Sequence, residues 1–259
     1  MDSASEYWSA KAALDWQIEM GVDEAIADAP VDRYALEVKK PAAAPPVAAP
    51  PPTAPVEAAP VDAVQVARDA AASAADLDGL QAALFAFEEC DLKAAARNFI
   101  FADGVPGSKV MFITDPPNRD DDRAGQMMSG RGGVLFDKMI AAIGLSRVGD
   151  NAVYMAPVLP WNPPQNRDPS GAELAMMTPF LRRHIELAQP RLLVLMGNAP
   201  CQALLGRNGM TRLRGTWVDV AGTPALPMFT PDYLMAHGAA KRDTWADLLD
   251  LKARLKDIT

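Results

Sequence analysis

Asp115 and Asp232 are the two carboxylates that this sequence sets where a carboxylate can do chemistry. Asp115 follows an apolar run, residues 110–113, by one threonine and stands directly before Pro116 and Pro117. Proline cannot continue a central strand, so the chain must leave a sheet there as a loop. In an open α/β sheet, the loops at the carboxyl ends of strands line the ligand crevice. Asp232 sits in Thr230-Pro231-Asp232-Tyr233-Leu234, just beyond a second apolar stretch at residues 226–229. Two carboxylates on loops at one sheet edge can act as an acid/base pair or orient a water. Asp and Pro are also ordinary turn residues, so a solvated turn is the competing reading of Asp115.

The remaining polar candidates are weaker. The run Asp120-Asp121-Asp122 could bind a cation, but consecutive aspartates read better as a solvated loop. His184 falls on a helical stretch, where it packs or meets solvent, and His237 reads as a polar loop residue. Arg131 stands between Gly130 and Gly132, whose exposed backbone N–H groups would suit a phosphate. Asn166, Arg167, Arg212 and Arg214 could add backbone contacts of the same kind, or be surface residues with no partner.

The elements that would hold these residues alternate. Helices are expected at 81–97, at 132–143 with a stop at Gly144, at 170–189 around Pro179, at 198–205 and at 238–256. Strands are expected at 110–113, 152–158, 191–196, 216–220 and 226–229. Strands alternating with helices predict an α/β domain, a central mainly parallel sheet flanked by helices on both faces.

Upstream the composition changes. Residues 4–27 have helical spacing and carry Trp8, so residues 1–39 read as an N-terminal helical tether that docks on a protein partner or back on the main domain. Residues 40–61 are Pro/Ala-rich and predict a semi-rigid, disordered linker. Residues 62–80 are Ala-rich and helical, and the compact domain is expected over 81–259.

The net charge of −8 is unevenly spread. Residues 1–100 hold 7 Lys/Arg against 17 Asp/Glu, whereas residues 101–259 hold 18 against 16. The back half can therefore accept a polyanion, although nothing is basic enough to argue for nucleic acid by itself. Cys90 and Cys201 lie far apart with no C-x-x-C, which excludes a disulfide scaffold and argues against a cysteine-built metal site. There is no long apolar run and no secretory pattern, so a soluble, cytoplasmic protein with no membrane partner is expected.

From about residue 87 onward the chain resembles the family 4, iron–sulfur type, uracil-DNA glycosylases. Their Gly-Glu-Ala-Pro-Gly loop is matched by Thr114-Asp115-Pro116-Pro117-Asn118. Their Gly-Arg-Ala-Gly is matched by Gly130-Arg131-Gly132-Gly133, and their Arg-Pro-Pro-Gly-Asn-Arg by Asn162-Pro163-Pro164-Gln165-Asn166-Arg167. Pro190 to Gly197 with Ala203-Leu204-Leu205-Gly206 is similar to the third strand and helix. Thr230 to Leu234 stands for His-Pro-x-x-Leu, followed by Lys241-Arg242-x-x-Trp245. The resemblance implies a three-layer αβα fold, DNA as partner, and base-excision repair by cleavage of the N-glycosidic bond of a flipped base.

The departures are chemical. The four cluster cysteines of the family fall at Phe87, Cys90, Trp161 and Met177, and Fe–S clusters need thiolate ligands, so no cofactor is expected. Cys201 matches no ligand position and reads as a small buried apolar residue. The base-reading Asn is Pro157, the uracil-stacking aromatic is Met128, the charge-stabilising His is Thr230, and the loop Glu is Asp115. The resemblance thus makes Asp115 and Thr230 catalytic candidates, and Asp232 joins them as the second loop carboxylate. The resemblance makes Pro116, Met128, Pro157 and Tyr233 the base pocket, and Gly130, Arg131, Gly132, Asn166 and Arg167 the DNA contacts. Weak or altered excision is expected, with an inert DNA- or nucleotide-binding module as the alternative.

Overall fold

A computed structural model describes residues 62–258, together with Tyr7, Trp8 and Lys11, which are helical. Apart from those three residues, the expected tether and linker lie outside the described residues. The compact unit comprises Glu57–Thr259.

Packing begins well before residue 81. Helix α1 (Ala63–Ser73) is capped by Asp62, whose carboxylate accepts from the amides of Val64 and Gln65 at 3.1 and 3.3 Å. Helix α2 (Leu77–Ala86) is capped by Asp76, which accepts from Gly79 N at 2.8 Å. Ala67 and Ala71 are buried. Further on in the chain, the Arg183 guanidinium donates to Ala74 O at 2.8 and 3.2 Å, tying the α1–α2 junction to the domain. The 62–80 segment is therefore part of the domain, because alanine faces let helices approach closely. The expected helix 81–97 is broken. Phe87 leaves helical geometry to enter the core, and only a single turn, α3 (Leu92–Ala95), follows.

The chain then lays down β1 (Asp103–Gly104), β2 (Val110–Thr114), α4 (Arg119–Ala124), α5 (Gly130–Ala142) and β3 (Tyr154–Pro157). Next come α6 (Gly171–Ala188, with Pro179 inside), β4 (Leu192–Met196), α7 (Asn198–Leu205) and α8 (Met210–Leu213). Strands β5 (Val218–Val220) and β6 (Thr223–Met228) and helices α9 (Pro231–Ala236) and α10 (Lys241–Asp257) complete the domain. Helix α4 corrects the solvated-loop reading of the aspartate run. Asn118 and Asp121 form a reciprocal cap at its start, and Asp121 is buried.

The sheet order is β1-β3-β2-β4-β6-β5. Strands β3, β2, β4 and β6 are parallel, and the short edges β1 and β5 run antiparallel. Every residue of β2, β3 and β4 is buried, as the near-continuous apolar runs of doubly covered strands require. Helices flank the sheet in a three-layer αβα arrangement. The chain steps from β2 outward to β3 and then back across to β4, so the strand order reverses at β2. Its carboxyl end, where Thr114 pairs with both Pro157 and Met196, opens the crevice that such a reversal creates. No helix among the described residues is long and apolar enough to cross a membrane.

Candidate functional site

A cleft of about 290 Å³ opens at this edge, lined among others by Asp115, Pro116, Asn118, Met128, Asn166, Arg167, Asp168, Thr230 and Asp232. Seven of the residues singled out from sequence are brought together here.

Asp115 is the most constrained of them. Its amide donates to Met196 O at 3.2 Å, and its Oδ1 accepts from Ala199 N, in the first turn of α7, at 3.1 Å. The carboxylate lies against Gly197. A Cβ there would fall 2.1 Å from Asp115 Oδ2, and Gly197 has φ +111°, so only glycine fits. Burial pushes the Asp115 carboxyl up to about 7 against the opposing hydrogen bond from Ala199, with the charges of Asp168 and Asp232 adding to the rise. A carboxyl near neutrality can hold or take a proton at working pH.

Asp232 is exposed, and its Oδ2 accepts from Asn118 Nδ2 at 3.3 Å. Thr230 is the N-cap of α9, with Oγ1 accepting from Tyr233 N at 3.2 Å. Thr230 also lines the cleft. Asp121 also lines the cleft but is structural. It accepts from Ser129 N at 2.6 Å and Asn118 N at 3.2 Å, and burial raises its carboxyl above the usual range.

Other expected residues lie elsewhere or are engaged. Pro157 does not line the cleft. It faces the interior beside Phe101, Met177, Phe180 and His184, because its strand is buried on both sides. Tyr233 is not in the cleft either. Its ring is stacked between Phe229 at 4.5 Å and His237 at 4.2 Å, so both faces are occupied. Gly130 and Gly132 do not offer an open phosphate cradle. A Cβ on Gly130 would meet Asp120 Oδ2 at 2.7 Å, and one on Gly132 would meet Asp232 Oδ1 at 2.5 Å, so carboxylates shadow the start of α5. Arg131 is exposed and without a partner among the described residues. Arg167 is held bidentately by Glu173 at 2.6 and 2.9 Å, which drives the Glu173 carboxyl down to about 2. Arg214 is no phosphate contact: its guanidinium pairs with the buried Asp247, with Nε donating at 2.9 Å. His184 is buried, bonded through Nε2 to Tyr154 Oη at 2.8 Å, and desolvation depresses it to about 3, so it stays neutral.

Asn118 and Asp168 were not singled out individually from sequence. Asn118 is legible in retrospect as the Asn of an Asn-x-x-Asp cap. Nothing local signals Asp168.

The four positions at which the resemblance puts cluster ligands hold core side chains. Phe87, Cys90, Trp161 and Met177 are each at most 4% exposed. Phe87 packs edge-on against Phe180 at 5.3 Å and Trp161 against Phe99 at 5.8 Å. Burial raises the Cys90 thiol, disfavouring the thiolate a metal needs. One sulfhydryl among four positions does not fit a four-iron cluster. Among the described residues no group of three or more His, Cys, Asp or Glu could hold a metal ion.

Residues 101–249 match the Uracil DNA glycosylase superfamily. The chain is 32% identical over 126 residues to a type-4 uracil-DNA glycosylase of Archaeoglobus fulgidus, covering 49% of this chain and 62% of that protein. It is 28% identical to the type-4 uracil-DNA glycosylase of Thermotoga maritima, over 57% of this chain and 77% of that one. A third, from Sulfurisphaera tokodaii, is 28% identical over 54% of this chain and 64% of its own length. The match thus spans slightly under two thirds of the Archaeoglobus and Sulfurisphaera proteins.

Proposed function

This chain belongs to the uracil DNA glycosylase superfamily, and on that premise we propose that it is a base-excision glycosylase whose reaction centre has been rebuilt around Asp115. The observation that carries the reading is the position of that carboxyl, fixed by Gly197 and Ala199 at the mouth of the strand-end cleft and raised to about 7.

A base flipped out of DNA enters the cleft. The Asp115 carboxylate takes a proton from a water, and the water oxygen bonds to the sugar C1′. The C1′–N bond breaks with its electron pair leaving on the base. The products are an abasic site and the free base. Thr230 Oγ1 donates one hydrogen bond to the departing anion but brings no positive charge. Of the two side-chain amides in the cleft, Asn118 is committed to the α4 cap and to Asp232, which leaves the donor and acceptor of Asn166 to read a base edge. A lost oxyanion-type donor costs about 10²–10³ in rate, so the activity is weak relative to a site with a histidine at this position.

The reading includes loss of the iron–sulfur cluster, supported by the packing at Phe87, Trp161 and Met177. Iron and sulfide analysis of the purified protein should find neither in stoichiometric amount.

A second reading, an inert DNA-binding module, is favoured by one observation: Pro157 turns inward and supplies no reader. Excision from end-labelled oligonucleotides carrying uracil, hypoxanthine or xanthine, read by alkaline scission, separates the two. Cleavage that disappears in Asp115→Asn supports the enzyme. DNA binding without cleavage at high protein concentration supports the module.

A further inference from the structure

Helix α10 carries a face that the fold does not use. Thr244, Asp247, Leu248 and Leu251 are buried. At helical spacing, Lys241, Arg242, Trp245, Leu249, Lys252 and Lys256 fall together within about one third of the circumference. Trp245 is 44% exposed and Leu249 45%. None of the four cations has a hydrogen bond or ion pair among the described residues. The acids of the helix, Asp243, Asp247, Asp250 and Asp257, lie away from this face at helical spacing, and three are engaged: Asp243 and Asp247 with Arg214, and Asp250 with Trp217 Nε1 at 2.6 Å. Arg254 is also turned away, over the Trp217 ring at 5.1 Å. The sorting leaves cations around an exposed indole, in a chain of net charge −8.

The position of the face indicates what covers it. Helix α10 follows β6, so its first turns stand at the carboxyl edge of the sheet, where the cleft opens. The chain runs from Thr230 in the cleft through α9 to the exposed His237 ring, which ends the Phe229–Tyr233–His237 stack, and then through Gly238–Ala240 to Lys241. Aromatic faces beside cations suit a single nucleic-acid strand, whose bases stack while its phosphates meet the charges.

We propose that this face of α10 is a track for the single strand leaving the cleft, with Trp245 stacking a base and Lys241 and Arg242 meeting the flanking phosphates. The proposal rests on the reading that this protein acts on DNA. The test uses the full chain and a fluorescently labelled oligothymidylate, with anisotropy measured across a salt series. Trp245→Ala should weaken binding about tenfold with the salt slope unchanged, and Trp245→Phe should restore most of it. Lys241→Gln with Arg242→Gln should reduce the log–log salt slope by about 1.4. If the wild type binds and these variants bind identically to it, the track is wrong and the DNA reading stands. If the wild type itself does not bind, both fall. Unchanged melting temperatures establish that the exposed-face variants are folded, and the phenylalanine variant separates stacking from any loss of packing.

Discussion

Replacing Asp115 with Asn tests the central physical claim, because the carboxyl is held near 7 at a cost to the fold. Its ordinary value is 3.8 and burial lifts it to about 7, a gap of roughly three units, or a ceiling of about 4 kcal/mol. The residue is half-buried rather than sealed, so solvent screening brings this to about 1–2 kcal/mol. The sign follows from which state holds the proton. Below the unfolded value both states are protonated and nothing is lost. As pH rises from about 4 to about 7, the folded state retains a proton that the unfolded state releases, and stability falls. Above about 7 the loss is complete. Asparagine keeps an acceptor for Ala199 N and carries no charge, so Asp115→Asn should match wild type near pH 4 and exceed it above pH 7. For a domain of about 200 residues, that is a melting-temperature gain of about 2–8 °C. Thermal unfolding of both proteins from acid to mildly alkaline pH reads it directly. A difference that stays constant with pH, or a variant less stable at high pH, would refute the reasoning. Excision by the wild type should rise through the same pH range as the carboxylate forms.

Three further outcomes are expected. Gly197→Ala forces a Cβ into the Asp115 carboxylate at a positive φ, so it should cost about 1–3 kcal/mol in urea unfolding and abolish excision together with Asp115 placement. Arg214→Ala leaves Asp247 buried without its partner and should destabilise by about 3 kcal/mol in the same assay, with no direct effect on the cleft. Thr230→His restores a donor able to carry positive charge. It should raise excision by about 10-fold or more while costing about 1 kcal/mol through loss of the α9 cap, and an unchanged rate would count against an Asp115-centred glycosylase.

Much of the sheet was legible because β2 and β4 are buried on both faces and therefore read as unbroken apolar runs. The same signal placed Asp115 at a strand end, since Pro116 and Pro117 forbid continuation. Helix α6 was legible as a helical stretch at 170–189 around Pro179, and its Ser170–Glu173 cap shows why it starts there. The start of the domain was not, because the Ala-rich helical stretch at 62–80 offers few large apolar side chains to mark it as core until α6 is seen against it. Asp121 looked like one of three solvated aspartates, and only the cap with Asn118 and the amide of Ser129, eight residues on, explains its burial.

Local pattern by itself determined where strands end, which residues stand at those ends and which residues occupy the positions that the resemblance picks out. Tertiary structure decided what those residues do. Asp115 owes its raised carboxyl to burial, with the charges of Asp168 and Asp232 adding to it, and its position to an amide and a glycine more than eighty residues away. Arg214 is claimed by Asp247, and Tyr233 is closed off by two rings. Burial and charge depend on distance through space, and a linear chain specifies that distance only once it is folded.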